Sequence, residues 1–200
     1  MGIKAAVLRV GVVLAVAVTV ASGEANPGGS VKIGMLTWTK KNINIETTGS
    51  WCYNDSASYC AKYGRLYTWE AAKKACNSMG GRWRLPMNEE WDDLVFLAGG
   101  EEVAGKKLKS TSGWSNNKDG ASGNGTDYYE FSALPGGLRF SDDSSYGVGG
   151  RGSWWSASEY GAESAYLWKM TYDYFGVYLL HSDKYSGYSV RCVAGSIDLH

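Results

Sequence analysis

Histidine is nearly missing from this 200-residue chain, which has two in all, His181 and His200. With so few histidines and no CxxC pair, a zinc site has no donor set. His181 has no sequence-local partner for catalysis, and there is no Walker loop, nucleophile elbow or HExxH, so the chain reads as a non-enzyme. An excess of either charge is missing too. Lys+Arg is 20, Asp+Glu is 20, and only 20% of residues are charged. A domain built on phosphate neutralisation would show a basic surplus, so nucleic acid is excluded as the main partner. Proline is scarce, three against 27 glycines, a balance that points to many tight turns and a loop-rich, β-containing fold. There is no internal repeat.

Aromatic residues are abundant. Nine Trp, fourteen Tyr and four Phe, within a chain that is 44% hydrophobic, supply a sizeable core and exclude disorder. The one long apolar run, Val10 to Ala21, follows Lys4 and Arg9 and precedes small residues. It is short for a membrane span, which needs roughly 20 residues. Residues 1–25 therefore read as a secretory signal peptide, cleaved after Gly23 or Ala25, with no stable membrane insertion afterwards. A lipid anchor would need a Cys directly after the run, and the first is Cys52. Residues 26–200 read as one domain.

Export makes disulfides the default state of Cys52, Cys60, Cys76 and Cys192, which allow three pairings. A Cys52–Cys60 bridge would staple the polar stretch between them. A Cys76–Cys192 bridge would tie an early helix to the last strand. On the chain-entropy model these two are worth roughly 2.5 and about 5 kcal/mol.

Val31–Ile33 and Met35–Trp38 read as a hairpin around Gly34, and Asn42–Ile45 as a further strand. Thr68 caps a helix from Trp69 to Ser78 with Ala71, Ala72, Ala75 and Cys76 on its inner face. A second helix has Asn88 as N-cap, Glu89 and Glu90 at its positive end, and Trp91, Leu94, Val95 and Ala98 as the buried stripe. A weaker third helix covers Glu101–Leu108, with Lys106, Lys107 and Lys109 on a solvated face. Residues 110–152 read as long irregular backbone anchored by aromatic side chains. β-Structure resumes at Ser153–Ser156. Beyond it, alternation at Tyr166–Tyr172, Val177–Leu180 and Tyr188–Val193 reads as a three-stranded antiparallel meander, with His181–Gly187 as a polar loop.

Seven segments, taken in order, carry a family resemblance. They are Cys52-Tyr53-Asn54 with Cys60, Tyr63 to Ala72 (YGRLYTWEAA), Trp83-Arg84-Leu85-Pro86 before Glu89-Glu90-Trp91, Ala104 to Ser110 (AGKKLKS), Phe131 to Gly137 (FSALPGG), Trp154 to Glu159 (WWSASE) and Tyr188 to Val193 (YSVRCV). Together they resemble the Fibrobacter succinogenes major paralogous domain of bacterial exported proteins. Met87 departs from the pattern, standing where the family often has a hydroxyl residue. The resemblance implies an α+β, C-type-lectin-like fold: two helices, a small antiparallel sheet, long irregular loops, termini held close, and a disulfide joining the first helix to the last strand. It also implies a secreted or cell-surface location. Similar folds serve as ligand-binding scaffolds, and the formylglycine-generating enzymes belong to the same wider group. An oxidase of that kind would need free thiols, and here all four cysteines have structural partners to hand.

Half of the fourteen tyrosines lie in residues 160–188, mixed with small polar residues, the composition of binding loops. Tyr166 and Tyr188 are read as core. Tyr160, Glu163, Tyr172, Asp173, Tyr174, Tyr178, His181, Ser182, Lys184 and Tyr185 are the expected ligand-facing set, for an extracellular protein or glycan. The alternative is a structural part of a bacterial surface or adhesive assembly with no discrete ligand site. Adjacent strand residues face opposite sides, so one of Trp154 and Trp155 is expected in the core and the other exposed or under the loops, with core packing preferred for each. Asn116 to Gly120, Asp127 and Asp142-Asp143 offer oxygen ligands, but without the spacing of a calcium motif. No metal or cofactor is expected.

Overall fold

A computed structural model describes residues 29–195. The signal-peptide reading of residues 1–25 lies outside them. The chain is mixed α+β, with small antiparallel sheets and few helices. Strands β1 (Ser30–Ile33) and β2 (Leu36–Thr39) form the expected hairpin, Val31 facing Trp38 across it. Gly34 turns it with a φ of 62°, where a side chain would strain the backbone and strike Leu97. The chain returns to this hairpin at its far end. β10 (Val193–Ala194) pairs with β2, giving the order β1-β2-β10, so both ends of the domain share one sheet.

Between these ends come β3 (Ser50–Trp51), α1 (Ala57–Tyr63), β4 (Leu66–Tyr67), α2 (Trp69–Ser78), α3 (Asn88–Leu97) and α4 (Ala104–Leu108). β5 (Leu138–Arg139) and β6 (Ser145–Tyr146) are a minimal pair in the irregular region. β7 (Arg151–Gly161), β8 (Ser164–Thr171) and β9 (Tyr178–Asp183) form the main sheet, in that order.

Both tryptophans of β7 are fully buried, at 0% exposure, because this sheet has a core on each face. Trp154 faces Trp168 across the ladder, and both join Trp38, Trp91 and Phe131 beneath α3. Trp155 faces Leu167, and both pack with Ala71, Ala72, Ala75 and Cys76 of α2. The inner faces of α2 and α3 are those read from their periodicity, and Thr68 Oγ1 accepts the Ala71 N–H as cap. Both disulfides form as Cys52–Cys60 and Cys76–Cys192.

Several expectations need correction. Asn42–Ile45 is not a strand; it is threaded by single bonds, Ile43 N–H to Val190 O and Arg65 N–H to Ile43 O. The segment between Cys52 and Cys60 contains the start of α1, since Ala57 to Tyr63 close a helical turn onto Cys60. Asn88 is the first residue of α3, and Met87 precedes it as cap. The buried Glu90 carboxylate reaches back to the Met87 N–H at 2.8 Å and also pairs with Arg84. Tyr188–Val193 leaves the meander and is shared out: Tyr188 pairs with Tyr67, Ser189 with Trp154, and Val193 with both Trp38 and Arg84. The third strand of the sheet is β9, which extends through His181 and Ser182 into the stretch read as loop.

Lys109 is not solvated. It is 0% exposed, and its Nζ donates at 2.9 Å to the carbonyls of Thr171 and Tyr174. The rings of Trp114 and Phe175 lie 4.9 and 5.8 Å away. Burial pushes this ammonium down to about 8, with Lys106 adding to the effect and Asp173 opposing it. The unfolded chain holds that proton up to an ordinary lysine value, so the folded state lacks it between about pH 8 and about pH 10.5. Stability from this group is therefore expected to rise with pH across that window, by roughly 1.4 kcal/mol per pH unit at the steepest. Urea unfolding of wild type and Lys109→Met at several pH values isolates it. A difference between the two that stays flat from about pH 8 to about pH 10 would contradict the buried charge.

Candidate functional site

In β8 the polar–apolar alternation changes partway along the strand. Ala165 and Leu167 belong to the core beneath α2, whereas the next residues on that face are Lys169 and Thr171. In the register of the sheet, Arg151 lies opposite Thr171, Ser153 opposite Lys169, and Tyr178 opposite Lys169 on the other side. Residues directly opposed in a ladder share a face, and diagonal ones lie within reach of long side chains. Arg151, Lys169, Thr171 and Tyr178 therefore form one row where the core ends.

This row is the floor of a cleft of about 560 Å³, walled by Ser115, Asn116 and the Tyr146–Arg151 segment on one side and by Tyr172 and Asp173 on the other. That volume falls within the range of small-ligand sites, roughly 300–1,000 Å³. The Arg151 guanidinium lies 4.9 Å from the Tyr146 ring and Lys169 Nζ lies 4.8 Å from the Tyr178 ring. Tyr174 packs beside Tyr178, with ring centres 5.1 Å apart. Burial, and then the neighbouring Arg151 charge, hold Lys169 below the ordinary lysine value, while Asp173 works the other way.

The cleft is held from behind. Lys109 fixes both ends of the Thr171–Tyr174 turn, and the Tyr172 N–H continues the ladder to Gly150 O. Gly105 of α4 lies against the backbone of Phe175 and Gly176, and a Cβ there would come within 2.4 Å of Gly176 O.

The ten expected ligand-facing residues do not form one patch. Tyr172, Asp173 and Tyr178 line the cleft, and Tyr174 adjoins it. Tyr160 and His181 lie on the opposite face, stacked with ring centres 3.8 Å apart, and Tyr166 meets Tyr160 edge-on. Glu163, Lys184 and Tyr185 line a smaller hollow of about 290 Å³ with Thr68, Glu70 and Ala162. There Lys184 donates to Glu159 at 2.6 Å and to Ala162 O at 2.8 Å. Ser182 Oγ accepts the Tyr188 hydroxyl at 3.0 Å, so it holds the neighbouring core residue.

Tyr146, Arg151 and Lys169 were missed by the sequence reading. A signal for them exists: Gly147-Val148-Gly149-Gly150 lets backbone approach closely, and Gly150 is where the Tyr172 ring rests.

The acidic loops considered for calcium spend their oxygens on their own turns. Asp127 accepts the Ser132 N–H and hydroxyl, Asp142 accepts both from Ser144, and Asn117 Oδ1 accepts the N–H groups of Asp119 and Ala121. Among the described residues, no group of three His, Cys, Asp or Glu is placed to hold a metal ion. All four cysteines are in disulfides, which leaves no thiol for oxidase chemistry.

The family model of the Fibrobacter succinogenes major domain matches residues 31–194. No curated protein and no solved structure matches the chain.

Proposed function

The chain belongs to the Fibrobacter succinogenes major domain family, and from that premise we propose that it is an exported, non-catalytic binding module. It takes a glycan or protein ligand in the cleft between the β7–β9 sheet and the Tyr146–Arg151 segment. The observation that carries this reading is the convergence of Tyr172, Asp173 and Tyr178 with Tyr146, Arg151 and Lys169 around one cavity. Tyrosines give contact area at low entropic cost, and the fixed turn behind them preorganises the surface. The two disulfides suggest an extracellular protein. Among the described residues no helix is long and apolar enough to cross a membrane. Secretion or display at the cell surface is part of the proposal, and so is the C-type-lectin-like fold. The fold reading is supported by the shared terminal sheet, the two longer helices and the Cys76–Cys192 link.

Glycan arrays and protein pull-downs with wild type, Tyr172→Ala and Tyr178→Ala test the module. Truncating either tyrosine is expected to weaken ligand retention about tenfold, the effect of roughly 1.4 kcal/mol at a contact anchor.

One observation favours a second reading, a structural part of an adhesive assembly. β9 is an edge strand that exposes Leu179 and Leu180 as well as Tyr178. Such edges pair readily with other chains. Retention unchanged by both tyrosine substitutions in every assay would put this reading first.

A further inference from the structure

Resting on the cleft as a ligand site, we infer that its ligand is an acidic glycan, a sugar chain whose carboxylate lies between Arg151 and Lys169. Arg65, Arg84, Arg139 and Arg191 each hold protein oxygens through hydrogen bonds, and Arg82, which among the described residues holds none, is exposed. Arg151 and Lys169 hold none among the described residues; each is laid against a tyrosine ring instead. Two like charges are thereby kept close together at the floor of one cleft, with Asp173 as the single carboxylate in its lining. A planar carboxylate relieves that repulsion, and the guanidinium fork suits its two oxygens.

The rest of the lining favours sugar over acidic peptide. Ser115, Asn116 and Thr171 bring hydroxyl and amide groups suited to sugar hydroxyls, and the three tyrosines bring ring surface. Val148 is the one aliphatic side chain in the lining, so an apolar peptide side chain has no pocket to anchor in.

Calorimetric titration should use a uronate tetrasaccharide, its fully methyl-esterified form and a tetraglutamate peptide. The free acid is expected to bind at least about tenfold more tightly than the ester, with the gap closing between about 50 and about 300 mM salt. Arg151→Gln and Lys169→Gln are each expected to weaken acid binding about fivefold or more and ester binding by a smaller factor. Asp173→Asn is expected to tighten acid binding, an effect of opposite sign that damage to the fold would not produce. Equal binding of acid and ester overturns the inference and leaves the module standing. Preference for tetraglutamate overturns the glycan assignment. Absence of acid binding overturns it as well, while the tyrosine variants decide the module separately.

Discussion

Removing the Cys76–Cys192 bridge by the double substitution Cys76→Ala, Cys192→Ala is expected to cost about 5 kcal/mol of stability on the chain-entropy model. The bond closes a separation of 116 residues, against 8 for Cys52–Cys60. Both sulfurs are buried in the core beneath α2, so the alanine variant also loses packing there. Native domains have about 5–15 kcal/mol in total, so the variant should lose between about a third and all of its stability. Cys52→Ala, Cys60→Ala is the control, with an expected loss of roughly 2.5 kcal/mol. Urea unfolding of the two variants checks the order. Similar losses in both would mean that the long link is not the main restraint on the unfolded chain.

Arg191→Met is expected to destabilise the fold by about 3–5 kcal/mol, the range for removing one partner of a buried charged network. Arg191 is 0% exposed and donates to Asn42 Oδ1 at 2.8 Å, Thr39 O at 2.7 Å, Phe131 O at 2.6 Å and Ser132 O at 2.8 Å. Burial pushes this guanidinium down, and the Asp127 charge opposes the shift. With four oxygens around it, and with an intrinsic value so high, it stays charged. Two segments remote in sequence from it meet on this side chain: Thr39 with Asn42, and Phe131 with Ser132. Asn42 Oδ1 also accepts the Trp154 indole N–H at 2.8 Å, so losing the arginine unsettles the central tryptophan as well. Methionine matches much of the volume but leaves the carbonyls unpaired, and buried unpaired polar groups cost about 1–3 kcal/mol each. At roughly 2–4 °C per kcal/mol for a domain of this size, a fall of about 10 °C in the unfolding midpoint is expected. Lysine should rescue only part of this, because one ammonium has three donors and no fork to span four acceptors. Full rescue by Arg191→Lys would contradict the network.

The N-terminal hairpin, α2 and α3 were legible because each buries one face with the period of its own backbone. Ala71, Ala72, Ala75 and Cys76 in α2, and Trp91, Leu94, Val95 and Ala98 around α3, lie where that period puts them. The cysteine pairing followed from short-range stapling and from a helix and a strand that needed tying. Strand partners were less legible. Tyr188–Val193 has good alternation, yet a period of two says only that a segment is extended and not which neighbour it meets. Here the neighbours are Tyr67, Trp154, Trp38 and Arg84 in turn. β9 ran past its expected end because edge strands carry polar residues such as His181 and Ser182 without penalty.

Of the cleft, Tyr172, Asp173 and Tyr178 could be anticipated from composition. Arg151 and Lys169 could not, since a single cation in a strand looks the same whether it faces water or a cavity.

Local periodicity and turn chemistry were enough to specify the N-terminal hairpin, α2 and α3, because each depends on residues close along the chain. Tertiary structure alone decided which charges are buried and which face the cleft. Lys109 and Arg191 are satisfied by carbonyls from distant segments, and Arg151 meets Lys169 only through the register of β7 on β8. A backbone carbonyl offers the same acceptor whatever side chain accompanies it, so its role in holding a buried charge leaves no mark on the order of residues.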